Sequence, residues 1–221
     1  MPQFRDAWGF SKLDTYWTCP AKFKYQFIEK IKDEGSPAME RGQKIHEGIE
    51  EWLNGWRKDL PAEAALHFQV ELEELKTQDF KAEAAWGFNA DWTKRPDWFG
   101  KDCWLRAKVD AHYITKDRQN LVVIDFKSGK YRVPSTDQVE LYAIAGSSVY
   151  PEIPNVRAEF WFVDTGETYA KDYTREELLA LRKKFEGYVQ PIYADQAFSP
   201  TPSRECRWCQ HSRTRGGKCQ Y

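Results

Sequence analysis

Residues 104–127 constrain the fold more than any other stretch. From Trp104 to Ile114 the sequence alternates, with Leu105, Ala107, Val109, Ala111 and Tyr113 on one face of an extended chain and Arg106, Lys108, Asp110 and His112 on the other. Side chains of a strand point alternately to its two faces, so this is a half-buried strand. Leu121 to Lys127 follows as a short apolar strand ending in charge, and residues 117–120 supply the turn between them. The two strands therefore read as an antiparallel hairpin.

Around this hairpin the pattern alternates between helical and extended. Ser11 to Phe27 reads as a first helix with Ser11 as N-cap, interrupted at Pro20. Gly35-Ser36-Pro37 is a break. Ala38 to Leu60 carries Ile45, Ile49, Leu53 and Trp56 at helical spacing, and Pro61 to Leu75 is a further helix. Phe80 to Phe88 reads as a strand and Thr136 to Val149 as a helix. Val156–Val163 and Thr168–Tyr173 form a second hairpin around Asp164-Thr165-Gly166. Thr174 to Tyr193 is a final amphipathic helix, with Thr174 and Glu177 in the capping-box spacing. Helices, then strands, one crossover helix and more strands indicate an α/β (α+β) fold, a central mixed sheet flanked by helices. The 221 residues suit a single domain. Its expected parts are a helical N-terminal part (residues 1–78), a sheet core (79–173) and a C-terminal helix with a cysteine-rich tail (174–221).

Composition narrows the function classes. The net charge of −1 excludes a small, globally basic nucleic-acid-binding domain. Positive charge is concentrated locally, at Arg204, Arg207, Arg213, Arg215 and Lys218 against Glu205 alone, and at Lys22, Lys24, Lys30 and Lys32. Either run by itself reads as a solvated face. Aromatic residues make up 15% of the chain, enough for a packed core with rings to spare for stacking on bases. Residues 1–10 hold no apolar leader segment and no run approaches membrane-spanning length, so a cytoplasmic, non-membrane protein with reduced thiols is expected. No Gly-x-x-x-x-Gly-Lys-Ser/Thr loop is present, so any nucleic-acid unwinding has to come from a partner.

The chemistry concentrates on the hairpin. Asp125 and Lys127 project from the same face of the second strand, and strand pairing brings Asp110 beside Asp125. Asp-x-Lys at a strand end is, alone, an ordinary surface ion pair of little energetic value. Two neighbouring carboxylates repel unless a cation lies between them, and a hard divalent cation with oxygen ligands resolves the repulsion. A lysine next to such a cation supplies what phosphodiester hydrolysis requires. Gln138 and Tyr142 share one face of the following helix and can line a cleft, although Tyr142 also suits the core and Gln138 the surface. His46 lies beside Ile45 and Ile49 on the inward side of its helix, where a lone histidine is more often a packed core residue.

Five short motifs stand in order along the chain: Cys19-Pro20, Gly42 to His46, Ala107 to Asp110, Asp125 to Lys127, and Gln138 to Tyr142. Their order and spacing resemble the RecB-like branch of the PD-(D/E)XK nuclease superfamily. The departure is Ala107, where that branch often has Gly. It points away from Asp110. The resemblance implies a restriction-endonuclease-like core and an active site with Lys127 as catalytic lysine. His46, Asp110, Asp125 and the Phe126 backbone carbonyl would be ligands to Mg²⁺ or Mn²⁺, and Gln138, Tyr142 and Glu83 would support the site or contact substrate. It further implies an exonuclease on DNA ends, single-stranded and digested 5′ to 3′. A structure-specific endonuclease, or a non-catalytic DNA-binding or assembly module, are the alternatives. Partners in this class are helicase, recombination (phage recombination included) or CRISPR-adaptation proteins.

Cys206-x2-Cys209 with Cys219 has metal-ligand spacing. The chain also resembles the CRISPR-associated RecB-like exonucleases and the AddB nuclease domain, which place one cysteine early and three late around a [4Fe–4S] cluster. The resemblance assigns that cluster to Cys19, Cys206, Cys209 and Cys219 and leaves Cys103 as an ordinary thiol. A local zinc site of Cys206, Cys209, His211 and Cys219 is the alternative.

Overall fold

The computed structural model describes residues 4–32, 35–129 and 135–221. They fall into two compact units, Met1–Glu34 with Lys183–Tyr221, and Gly35–Arg182.

The larger unit is built on a five-stranded mixed sheet in the order β1-β2-β3-β4-β5. Its strands are β1 (Lys81–Phe88), β2 (Leu105–Ile114), β3 (Asn120–Lys127), β4 (Asn155–Phe162) and β5 (Glu167–Thr174). All neighbours are antiparallel except β3 and β4, which are parallel and joined by the crossover helix α5 (Thr136–Val149). A parallel pair needs such a crossover, which is why the helix lies between the two hairpins. Helices α3 (Pro37–Leu53) and α4 (Ala62–Lys76) precede the sheet. Ile45, Ile49, Leu53, Phe68 and Leu72 from them pack with Ala111, Val122, Ile124, Phe126 and Trp161. These Phe126, Ile124 and Val122 side chains are one alternate set of β3. The other set meets α5, where a Cβ on Gly146 would stand 2.6 Å from Leu121 and 3.3 Å from Val123. Both faces of β3 are covered, which explains its unbroken apolar run.

The smaller unit holds α1 (Phe10–Thr18), α2 (Pro20–Phe23), a π-helical turn (Lys24–Ile28) and two 3₁₀ turns (Arg204–Trp208, Arg213–Arg215). Its core is aromatic: Phe23 stacks on Phe198 at 6.0 Å and Trp8 on Phe185 at 6.3 Å. Cys19 separates α1 from α2 in extended backbone, and Pro20 begins α2 at its first position. A residue before proline is held extended and proline suits the first helical turn, so Cys-Pro sets a corner. The final helix α6 spans Arg175–Ala194. Thr174 and Glu177 exchange the expected capping bonds. No helix among the described residues is long and apolar enough to cross a membrane.

Three expectations need correction. Helix α1 starts at Phe10, with Gly9 rather than Ser11 at its N-cap. Helix α3 ends at Leu53, not Leu60. Gly55 takes a left-handed φ of 76°, and the amides of Trp56 and Arg57 turn back onto the Glu51 carbonyl. Trp56 thereby leaves the apolar stripe and is exposed. His112, placed by alternation on a polar face, is buried against the Trp86 ring at 4.9 Å, and one ring nitrogen lies 2.7 Å from the Tyr150 hydroxyl.

Candidate active site

The β2–β3 ladder runs from Ile114↔Leu121 to Ala111↔Ile124. At its end the Asp110 carboxylate replaces a strand partner: its Oδ2 accepts the Phe126 N–H at 2.6 Å. A side chain wedged into the backbone bonding splays the strands there and leaves Asp110 and Asp125 side by side.

Asp125 is buried, and its two oxygens differ. Oδ1 accepts from Gln138 Nε2 at 3.1 Å. Oδ2 is buried and paired with the Lys127 ammonium at 2.6 Å. Burial and the neighbouring Asp110 charge push the Asp125 carboxyl up to about 6, against the pull of Lys127. Gln138 ties the group together. Its Oε1 accepts from Lys127 Nζ at 2.8 Å, and its Nε2 also donates to the Tyr142 hydroxyl at 3.0 Å. Lys127 Nζ stands 4.8 Å from the centre of the Phe160 ring. Burial and then the Asp125 charge hold the Tyr142 phenol well above its usual range, so it stays neutral.

Helix α3 delivers His46, whose Nδ1 lies 3.2 Å from Asp110 Oδ2. Burial opposes the charged imidazole, but the hydrogen bond and charge of Asp110 outweigh it and raise the His46 pKa. Gly42 lies one turn earlier because Ser128 fills the space: a Cβ there would meet Ser128 Oγ at 2.7 Å. Next to it, Arg41 holds Asp164 with two bonds, of 2.6 and 2.9 Å, and reaches Glu63 at 2.9 Å. Asp164 accepts the Gly129 N–H in turn. The residues just after Lys127 are thus anchored from α3 and from the β4–β5 turn, a connection that no local pattern in the sequence announced.

Among the described residues, no group of three or more His, Cys, Asp or Glu is arranged to hold a metal ion as it stands. The charged side chains pair with one another instead. The donor chemistry nevertheless fits a hard divalent cation: two adjacent carboxylates, one of them buried, and an imidazole at their edge.

The family model of the PD-(D/E)XK nuclease superfamily matches residues 7–214. The chain belongs to the PD-(D/E)XK nuclease superfamily. Its mixed sheet flanked by helices is the restriction-endonuclease-like fold of these nucleases. A solved structure named "Putative exonuclease" from Eubacterium rectale is similar, with a TM-score of 0.54 and 13% identity over 94% of this chain and 88% of that one. A second, "SSO0001", has a TM-score of 0.46 and 13% identity over 94% and 84%. The curated proteins contain no match. Nucleases of this superfamily use Mg²⁺ or Mn²⁺.

Glu83, expected to support the site, lies on β1, the strand paired with β2. With φ 51°, it stands between the pairs Ala82↔Ala111 and Ala84↔Val109, a register that sets it opposite Asp110. Its carboxylate pairs with Lys108 on the neighbouring strand.

The four cysteines assigned together by resemblance line one cavity of about 140 Å³ in the smaller unit, with Tyr25, Trp208 and His211. Cys19 is part of that wall despite its distance in sequence. Two sulfurs receive backbone amides, Cys19 from Thr201 and Cys206 from Ser203, both at 3.4 Å. Amides aimed at sulfur suit a thiolate centre, since such bonds stabilise the charged ligand. His211 is buried against Tyr25 at 5.2 Å, so the alternative zinc set also lies on this wall. Gly217 is required here, because a Cβ would stand 2.2 Å from the His211 backbone.

Proposed function

We propose that this nuclease is a metal-dependent exonuclease that hydrolyses phosphodiester bonds at single-stranded DNA ends, in the 5′ to 3′ direction that its RecB-like resemblance implies. The observation that carries the hydrolytic reading is the splayed end of β2 and β3, where Asp110, buried Asp125 and Lys127 meet. Asp110 and Asp125, with His46 and the Phe126 carbonyl beside them, would hold a Mg²⁺ or Mn²⁺ ion, whose chemistry there is to polarise the phosphate and activate water. Lys127 is the catalytic lysine in this reading. Gln138 and Asp125 fix its ammonium in place, and it stabilises the negative charge that develops on the phosphate. Tyr142, kept neutral, holds Gln138 in orientation.

Cys19, Cys206, Cys209 and Cys219 are proposed to hold a [4Fe–4S] cluster of structural role. Support comes from their common cavity and the amide bonds to sulfur. A helicase or other recombination partner would supply unwinding.

End-labelled linear single strands and covalently closed circles of the same sequence, incubated with Mn²⁺, test the exonuclease reading. Loss of linear DNA with circles left intact supports it. Cleavage of circles at a comparable rate replaces it with an endonuclease, and the labelled end released first gives the polarity.

A further inference from the structure

The two units of the chain are oppositely charged. Residues 1–34 with 183–221 hold 13 basic residues against 8 acidic ones, a net charge of +5. Residues 35–182 hold 20 against 26, a net charge of −6. Asp110, Asp125 and Lys127 thus belong to a unit whose overall charge repels a polyanion, and the charge that attracts one lies in the smaller unit. The tail supplies most of it, with five basic residues and one acidic residue between 204 and 218.

The tail is folded so that its cations crowd together. Arg204 and Arg207 share the 3₁₀ turn Arg204–Trp208, in which residues three apart stand one above the other. Ser203 caps that turn, its Oγ accepting from Glu205 N at 3.2 Å. Arg213 and Arg215 share the second turn, which Gly216 ends with φ 76°. Arg213 N donates to Tyr221 O at 2.7 Å and Cys219 N to His211 O at 2.8 Å, which closes residues 211–221 on themselves. Lys218 pairs with Glu29 at 3.4 Å. The four arginines are exposed, and none of them forms an ion pair among the described residues. Like charges held on short turns repel, a cost that an anionic partner removes.

The kind of anion follows from the side chains. Arginine offers a planar fork of donors that fits phosphate oxygens. Trp208 stands among the arginines 66% accessible, with the Arg207 guanidinium 5.2 Å from its ring. Cations without carboxylate partners beside a displayed indole match a single nucleic-acid strand, whose phosphates take the first and whose bases take the second. We propose that the tail binds such a strand, with Arg204, Arg207, Arg213 and Arg215 on its phosphates and Trp208 stacked on a base. The inference rests on the nuclease reading above for the choice of strand, and adds to it a binding surface in the unit that lacks the catalytic residues.

The test is anisotropy of a fluorescent oligothymidylate of about 20 nucleotides, titrated without added divalent cation between about 50 and 200 mM salt. Wild type is compared with Arg213→Gln/Arg215→Gln, Trp208→Ala, Trp208→Phe and, as a control on the larger unit, Lys101→Gln/Lys116→Gln. For single strands the slope of log affinity against log salt is about 0.7 per phosphate contact, so the double arginine variant is expected to lose about 1.4 from it. Trp208→Ala is expected to bind roughly 5- to 150-fold more weakly with an unchanged slope, the range for one stacked base, and Trp208→Phe to recover most of the loss. The control matches wild type. An arginine variant with the wild-type slope and affinity overturns the proposal, as does an equal loss of slope in the control. Wild type that binds phosphatidylserine vesicles and no oligonucleotide overturns it in favour of a lipid surface. Failure of the nuclease reading looks different: the tail variants lose binding as expected, yet wild type in Mn²⁺ leaves the bound strand uncut.

Discussion

Replacing Gln138 with alanine removes the side chain that joins Asp125 to Lys127. Its amide donates to Asp125 Oδ1 at 3.1 Å and its carbonyl accepts from Lys127 at 2.8 Å. Hydrogen bonds to charged groups contribute about 1.5–3 kcal/mol each. The direct Asp125–Lys127 contact of 2.6 Å survives, so the two losses do not add. A single such bond, expressed in the transition state, corresponds to a roughly 10- to 150-fold fall in kcat at 1.36 kcal/mol per decade. The same loss in the folded ground state leaves the buried Asp125 Oδ1 without its donor. At about 2–4 °C per kcal/mol for a chain of this size, Tm falls by roughly 3–12 °C. Steady-state cleavage of a labelled single strand and differential scanning calorimetry read the two quantities. Gln138→Glu keeps an acceptor for Lys127 but sets a further carboxylate beside Asp125, and its kcat is expected to be at least as low. A Gln138→Ala protein with kcat within twofold of wild type and an unchanged Tm would refute the reasoning.

Other perturbations have equally definite outcomes. Gly146→Ala forces a methyl to 2.6 Å from Leu121, and overpacking of this kind costs about 1–3 kcal/mol, seen as a lower midpoint in urea. The Arg41 hydrogen bonds hold the Asp164 carboxyl below its usual range, with the Gly129 amide adding to them. A depressed folded pKa stabilises above the unfolded value of about 3.9 and is lost as pH falls through the folded one. The Tm difference between wild type and Asp164→Asn is therefore expected to be constant near neutrality, to start shrinking near pH 4 and to vanish only below the folded pKa; a difference that does not shrink on acidification contradicts the assignment. Cys19→Ser is expected to lower bound iron, measured by elemental analysis of anaerobically purified protein. Full metal content in that variant, as zinc, would favour the Cys206, Cys209, His211 and Cys219 set.

The parts of this fold that were legible in the sequence are those with a short period and a local signal. Strands β2 and β3 announce themselves by alternation and by an apolar run, and α6 by its Thr174–Glu177 cap. The pairing that brings Asp110 to Asp125 follows from the hairpin alone. The end of α3 was not legible, because Trp56 keeps helical spacing while Gly55, one residue earlier, turns the chain out of the helix. His112 shares its polar set with Asp110, and only the packing of Trp86 and Tyr150 around it makes that position buried. The left-handed backbone of Glu83, which pairs with Lys108, has no signal in the sequence either. The Arg41–Asp164 contact links residues 123 apart, a distance over which no periodicity speaks. Gln138 was ambiguous between surface and site. Burial of Asp125, which a sequence does not display, is what gives it a task.

The central claim is that Asp125 and Lys127 act together on a phosphodiester. The most direct measurement is single-turnover cleavage of an end-labelled single strand in Mn²⁺ by wild type, Asp125→Asn and Lys127→Ala, with Mn²⁺ binding followed by calorimetry on the same samples. The expected result is cutting by wild type alone, with Mn²⁺ binding lost in Asp125→Asn and retained in Lys127→Ala. Cleavage at the wild-type rate by folded Lys127→Ala, or undiminished Mn²⁺ binding by Asp125→Asn, would contradict the account.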